Sequence, residues 1–274
     1  MFFVPDDLIN DLRMHEAQKA AFKKLEDSGY LKSIREFAMA RCAPFFWTFE
    51  PGGDQPVRFR NGTICYVDTG EKTLGITANH VYTGEPSYLS DLEAYNGSVH
   101  AQFGGNTIYP EKRFIAGDKK LDIATFDVPP VFVSASEVKV IHKPATWPPP
   151  PLQQGELVIY GGYPGALKEP GTNEIVWPFQ SFTWKVTDVT ETNIVLHVDF
   201  PNLYWPGHEE EKINDVLGGV SGGPVFRIIE IPEGTQMRVR FELVGIVYEV
   251  HESLQVVRAR HIQHIRADGS LISI

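Results

Sequence analysis

The stretch DVLGGVSGGPVF, residues 215–226, sets a single serine among glycines. Gly218, Gly219, Gly222 and Gly223 flank Ser221, and Pro224 follows. Neither a helix nor a regular strand favours that composition. Glycine and proline are ordinary turn formers, so a plain loop between strands would account for them. Glycine also lets backbone amides converge closely on one point. On that reading Ser221 is a nucleophile on a tight turn, with nearby N–H groups aimed at a developing oxyanion. The choice depends on partners elsewhere, because a serine hydroxyl needs a base to take its proton.

There are nine histidines. His15 falls in an expected helix, His208 opens the acidic run HEEEK, and His197 sits in an alternating strand pattern. His261 and His264 have a spacing that two metal ligands on a helix could use, but two ligands without a third make no site. An exposed terminal helix explains them more simply. His80 ends the run TLGITANHV, where strand-forming residues give way to TGEPS. A strand mouth presents a side chain to solvent from a rigid scaffold. A strand-end histidine bonded to its local backbone would look the same.

A base needs a charged, oriented carboxylate to fix its tautomer and stabilise the imidazolium. In KKLDIATFDV, Asp122 lies between Leu121 and Ile123, in a strand pattern. A carboxylate in such surroundings is costly without a partner. Asp118 reads as a solvated turn residue before two lysines, and Asp127 as a strand end before prolines. Asp122 is the preferred third member.

Positioning these groups falls to the rest of the 274 residues, enough for one large domain or two small ones. A net charge of −10 argues against nucleic-acid binding and against an anionic membrane surface. No run approaches the ~20 apolar residues of a membrane span. The start, MFFVPDDLIN, does not read as a secretory signal. The expected compartment is the cytoplasm, with Cys42 and Cys65 reduced.

Residues 5–42 carry a helical pattern with a break at Gly29. From there short runs rich in Val, Ile, Thr, Phe and Tyr alternate with turn residues, which predicts an all-β sandwich or barrel. The segment KPATWPPPPLQQ divides this region, and its four prolines at 148–151 predict a stiff connector. The layout is a helical N-terminal segment at 1–42, a β unit at 43–146, a connector at 147–151 and a second β unit at 152–274 ending in a short helix. The helical segment packs on the β region, covers a cleft or docks a partner.

Three segments, TANHV, LDIATFDV and GVSGGPVF, resemble the chymotrypsin-like (trypsin-like) serine peptidases in type and order. They look closest to bacterial and intracellular members without disulfides. VIYGGYPG resembles the opening of the second barrel in the high-temperature-requirement branch, and ELVGIVYEV resembles the strand that lines the substrate cleft. The resemblance implies two six-stranded antiparallel β-barrels with the site between them. It implies His80 as general base, Asp122 as orienting group and Ser221 as nucleophile, with the N–H groups of Gly219 and Ser221 as oxyanion hole. Protein or peptide substrates follow, and neither metal nor organic cofactor is needed. Asp215 falls near the base of the primary pocket, where Glu249 would add negative field. An apolar pocket would instead use Val216, Leu217 and Val247. Val220 stands where activated secreted members carry an aspartate that pairs with a newly made N-terminus. This chain is therefore expected to need no N-terminal cleavage. The rival expectations are an esterase using the same triad and a silent peptide-binding module.

Overall fold

The computed structural model describes residues 29–52, 56–95, 98–129, 132–133, 138–170, 175–198, 217–233, 236–251 and 253–272. The chain divides into two compact units, Met1–Phe37 and Ala38–Ile274. Of the helical stretch expected over 5–42, residues 5–28 lie outside the described residues. Helix α1 spans Tyr30–Met39. Gly29 precedes it at φ +75°, and its carbonyl accepts from Ser33 N at 3.0 Å. The helix stops short of the expected end, and Cys42 opens a strand instead. Pro44 explains this. It has no N–H, and it disfavours helical backbone at the residue before it.

The first sheet contains β1 (Cys42–Phe49), β2 (Arg58–Asp68), β3 (Thr73–Thr77), β4 (His100–Phe103), β5 (Asn106–Ile108), β6 (Phe114–Asp118) and β7 (Ile123–Asp127). Their order is β5-β4-β1-β2-β3-β7-β6. Two short helices, α2 (Asn79–Thr83) and α3 (Tyr88–Ala94), connect β3 to β4. Along β1, Phe45, Trp47 and Phe49 are buried at alternate positions, the period of a strand with one face on a core. Phe45 meets Phe103 edge-on with centroids 4.7 Å apart, a preferred aromatic geometry.

The second sheet contains β8 (Leu157–Gly162), β11 (Gln180–Lys185), β12 (Asp188–Val189), β13 (Asn193–His197), β14 (Pro224–Glu233), β15 (Gln236–His251) and β16 (Val256–His261). Their order is β11-β8-β14-β15-β16-β13-β12. A separate hairpin pairs β9 (Glu169–Pro170) with β10 (Ile175–Val176). The core of this sheet gathers Tyr160, Phe182, Val220, Val225, Val247 and Val257.

The protein is thus mainly β, with two antiparallel sheets. Each has seven strands rather than the expected six, because the short strands β5 and β12 extend one edge of each sheet. Register shifts at Phe114/Ala116, Val225/Phe226 and Val247/Glu249 mark where the strands bend.

Between the sheets, residues 147–151 form no strand. Arg227 Nη2 donates to the carbonyls of Pro150 and Pro151 at 2.8 Å each, and Trp147 Nε1 donates to Ile265 O at 2.9 Å. The C-terminal helix reduces to a single 3-10 turn, Ile262–His264. Beyond it the chain returns to the first sheet, where Thr125 Oγ1 donates to Gly269 O at 2.7 Å. Among the described residues no helix is long and apolar enough to cross a membrane.

Candidate active site

His80 is the second residue of α2, one turn beyond β3, rather than the last residue of a strand. Asp122 lies in the turn before β7 and not inside it. Its φ is +51°, a left-handed conformation uncommon for a residue with a side chain. Strained backbone of this kind persists only where surrounding contacts hold it, and three are present. Asp122 O accepts from Asn79 N at 3.1 Å, Asp122 Oδ1 accepts from His80 N at 2.7 Å, and Asp122 Oδ2 lies 2.8 Å from His80 Nδ1. One carboxylate therefore grips both the backbone and the ring of His80. With Nδ1–H donating to Oδ2, the lone pair of Nε2 is left to accept a proton. The His80 side chain is 45 % exposed and that of Asp122 is 17 % exposed, so the imidazole faces solvent from an inner support.

Of the two competitors, Asp118 is occupied elsewhere. Asp118 Oδ1 accepts from Lys120 N at 2.7 Å and Leu121 N at 2.9 Å, which makes it the cap of the turn that delivers Asp122. Asp127 ends β7.

Ser221 sits in a turn just before β14. The loop enters through Gly219 at φ +103°, where a Cβ would stand 2.7 Å from Tyr163 O, so only glycine fits without displacement. Every carbonyl from 217 to 221 accepts a hydrogen bond. Leu217 O accepts from Val220 N (3.2 Å), Gly218 O from Gly165 N (2.7 Å) and Gly219 O from Thr63 Oγ1 (2.8 Å). Val220 O accepts from Gly223 N (2.8 Å) and Ser221 O from Thr63 N (2.8 Å). Gly222 N donates to Val247 O at 2.7 Å. Three amides stand apart: among the described residues nothing accepts from Gly218 N, Gly219 N or Ser221 N. Loop amides left over beside a serine are the donors an oxyanion requires.

The strand β2 joins the two halves of the site. A Cβ at Gly62 would stand 2.6 Å from Val81 Cγ1 and 3.2 Å from Ser221 O. The helix that carries His80 and the loop that carries Ser221 therefore flank one glycine. Ser221 Oγ donates to Tyr248 O at 3.4 Å, a long bond, and not to His80.

Of the expected pocket residues, Asp215 and Val216 lie outside the described residues. Val247 is fully buried in the core of the second sheet. Glu249 is engaged, with Oε2 at 2.8 Å from Arg258 Nη1 and Oε1 at 3.0 Å from His251 Nε2. Its charge is thereby compensated. The two-histidine spacing brings no metal cluster. His261 and His264 are buried rather than exposed, and no group of three or more metal-ligating side chains occurs among the described residues. His15 and His208 lie outside the described residues. Cys42 and Cys65 are free, buried and opposite one another on β1 and β2. Burial pushes both thiols up, Cys65 to about 12, which leaves them poor nucleophiles.

Sequence reasoning missed Tyr248, Arg260 and Asn193. Arg260 lies 4.1 Å over the Tyr248 ring, and its Nη1 donates to Asn193 Oδ1, which also accepts from Tyr248 Oη at 2.9 Å. Arg260 Nη2 reaches across to Lys120 O at 2.9 Å, two residues before Asp122. Burial raises the Tyr248 phenol, and the neighbouring Arg260 charge opposes that rise. Nothing in the local patterns of β13, β15 or β16 marks these three as a cluster, because they meet only through sheet register.

No family model matches the chain, and no curated protein matches it. Among solved structures, the serine protease domain of the Sesbania mosaic virus polyprotein is similar at 14 % identity and a TM-score of 0.43, covering 85 % of this chain and 99 % of that one. Another comes from work on aromatic interactions in the coupled folding and binding of the intrinsically disordered Sesbania mosaic virus VPg protein. It is similar at 13 % identity and a TM-score of 0.43, covering 84 % of this chain and 98 % of that one.

Proposed function

We propose that this protein is a serine hydrolase of chymotrypsin-like architecture that cleaves peptide bonds through an acyl-enzyme. Ser221 Oγ attacks the carbonyl carbon while His80 Nε2 takes the hydroxyl proton. Asp122 holds the ring and stabilises the imidazolium as it forms. The carbonyl oxygen becomes an oxyanion and receives the N–H groups of Gly219 and Ser221. The tetrahedral intermediate collapses, the peptide nitrogen leaves with the proton from His80, and the acyl group stays on Ser221. Water, deprotonated by His80, then releases the acid and restores the serine.

The observation that carries this reading is the loop around Ser221. Its carbonyls are all bonded, while the amides of Gly218, Gly219 and Ser221 are left without an acceptor among the described residues, the last two being the pair that the resemblance assigns to the oxyanion. A connecting loop has no reason to be arranged so selectively. One observation favours the silent peptide-binding module: Ser221 Oγ bonds Tyr248 O and not His80. Catalytic hydrogen bonds in unliganded sites commonly tighten when substrate binds.

A fluorophosphonate probe decides between them, followed by a panel of peptide and ester substrates. Stoichiometric labelling of wild type, absent in Ser221→Ala, is expected, together with peptide turnover. Labelling with ester turnover alone would make the protein an esterase. No labelling of a folded wild-type protein would leave the binding module.

A further inference from the structure

We infer that Thr63 and Asn61, two residues of β2 in the first sheet, are positioning residues that set the conformation of the oxyanion loop in the second. The inference rests on the reading of Ser221 and its loop given above. Thr63 is fully buried, and its polar atoms are all engaged. Its hydroxyl donates to Gly219 O at 2.8 Å and accepts from Tyr163 N at 3.0 Å. Its amide donates to Ser221 O at 2.8 Å, and its carbonyl accepts from Thr77 Oγ1 at 2.6 Å. Asn61 lies two positions earlier, on the same face of the strand, and its Nδ2 donates to Tyr163 O at 2.6 Å. Both polar groups of the Tyr163 backbone are therefore held by side chains of β2. That fixes the turn at 163–165, whose Gly165 N donates to Gly218 O at 2.7 Å.

The consequence follows from peptide geometry. In a planar trans peptide the C=O and the N–H point to opposite sides. Gly165 pins the carbonyl of the Gly218–Gly219 peptide, so the Gly219 N–H is directed away from it. Thr63 pins the carbonyl of the next peptide. Glycine backbones change conformation readily, and a turned Gly218–Gly219 peptide would present a carbonyl oxygen where an oxyanion must sit. The loop needs an external hold. In this chain the first sheet supplies the hold.

Thr63→Val removes the hydroxyl at nearly constant size, and Thr63→Ser keeps it. Losing an oxyanion donor costs ~10²- to 10³-fold in turnover. We expect Thr63→Val to slow fluorophosphonate labelling and lower kcat on that scale, with KM within ~3-fold. Affinity for a peptide boronate, which forms a tetrahedral adduct, should fall in parallel. Affinity for an uncleaved product peptide should hold, and Thr63→Ser should recover most of the rate. A general loss of structure would not separate the boronate from the product peptide. A crystal structure of the variant should show the Gly218–Gly219 peptide turned or disordered. Should Thr63→Val not fold, Asn61→Ala, at a part-exposed position, is measured the same way. Normal labelling, normal boronate affinity and an unchanged loop in the variants would overturn the inference. A wild-type protein inert to the probe would overturn the hydrolase reading instead. The variant crystal structures would still decide whether β2 holds the loop.

Discussion

Asp122 holds His80 at two points, with Oδ1 at 2.7 Å from the His80 amide and Oδ2 at 2.8 Å from Nδ1. The first contact fixes where the residue is, and the second fixes which ring nitrogen carries the proton. Asp122→Asn preserves the volume but offers an NH2 group to one of those two positions. If that group meets Nδ1, the ring must present its lone pair to it and carry its proton on Nε2. That tautomer cannot accept from Ser221. We expect turnover to fall ~10⁴-fold with the folded structure retained. The kcat of Asp122→Asn on a peptide ester, beside its far-UV spectrum, checks this. A normal rate in a normally folded variant would remove Asp122 from the site.

Val220 bears on activation. It is fully buried in the core of the second sheet, in one cluster with Leu217, Val225 and Val247. The loop is thus anchored from below by apolar packing. We expect the uncleaved chain to react with a fluorophosphonate, read as a single adduct on the intact mass. Reaction confined to an N-terminally trimmed form would count against it. Val220→Asp should be strongly destabilising, since an unpaired buried charge costs several kcal/mol even after relaxation, ~3 or more. A midpoint of chemical unfolding close to that of wild type would show that the pocket under the loop is wetter than its burial implies.

Gly222 tests the fit of the loop against the first sheet. Its φ is +91°, and a Cβ there would overlap both Thr63 O and Thr77 Oγ1. Both are held in place, because Thr77 Oγ1 donates to Thr63 O. The side chain has nowhere to go, and the backbone conformation is itself strained for alanine at ~1–3 kcal/mol. We expect Gly222→Ala to lower stability by at least that much and to abolish activity, measured by urea unfolding and probe labelling. Wild-type stability and labelling would mean that the loop has more room than these contacts allow.

How far the site was legible differs by residue. Ser221 stood out because glycines on both sides are a local signal. Asp122 stood out because a lone carboxylate in an apolar run needs a reason. Its backbone was not legible. The run LDIATF reads as one strand, yet Leu121 and Asp122 belong to the turn from β6 into β7, capped by Asp118. Thr63 could not be found at all. It sits in the plain strand pattern GTICYV, and its hydroxyl partner is 156 positions away. Contacts made by the meeting of two sheets leave no mark in a window of ten residues. The terminal histidines were misread for a related reason. The pattern RHIQHI looks like an exposed helical turn, whereas β16 and its 3-10 turn bury His261 and His264.

Burial of His261 gives the stability of the fold a pH dependence. Burial holds its imidazole below the ordinary value of 6.5, and the neighbouring His264 acts in the same direction. The bond from Nε2 to Thr190 O, 3.0 Å long, opposes this only in part. Native His261 therefore binds a proton less readily than it does in the unfolded chain. Above pH ~6.5 both states are neutral and the stability is fully present. As the pH falls through that value the unfolded chain takes up the proton first, and stability is lost. Glutamine cannot titrate there. We expect the urea midpoint of wild type to fall more steeply between pH ~7.5 and ~5 than that of His261→Gln. Parallel slopes for the two proteins would mean that His261 is protonated as easily in the fold as outside it.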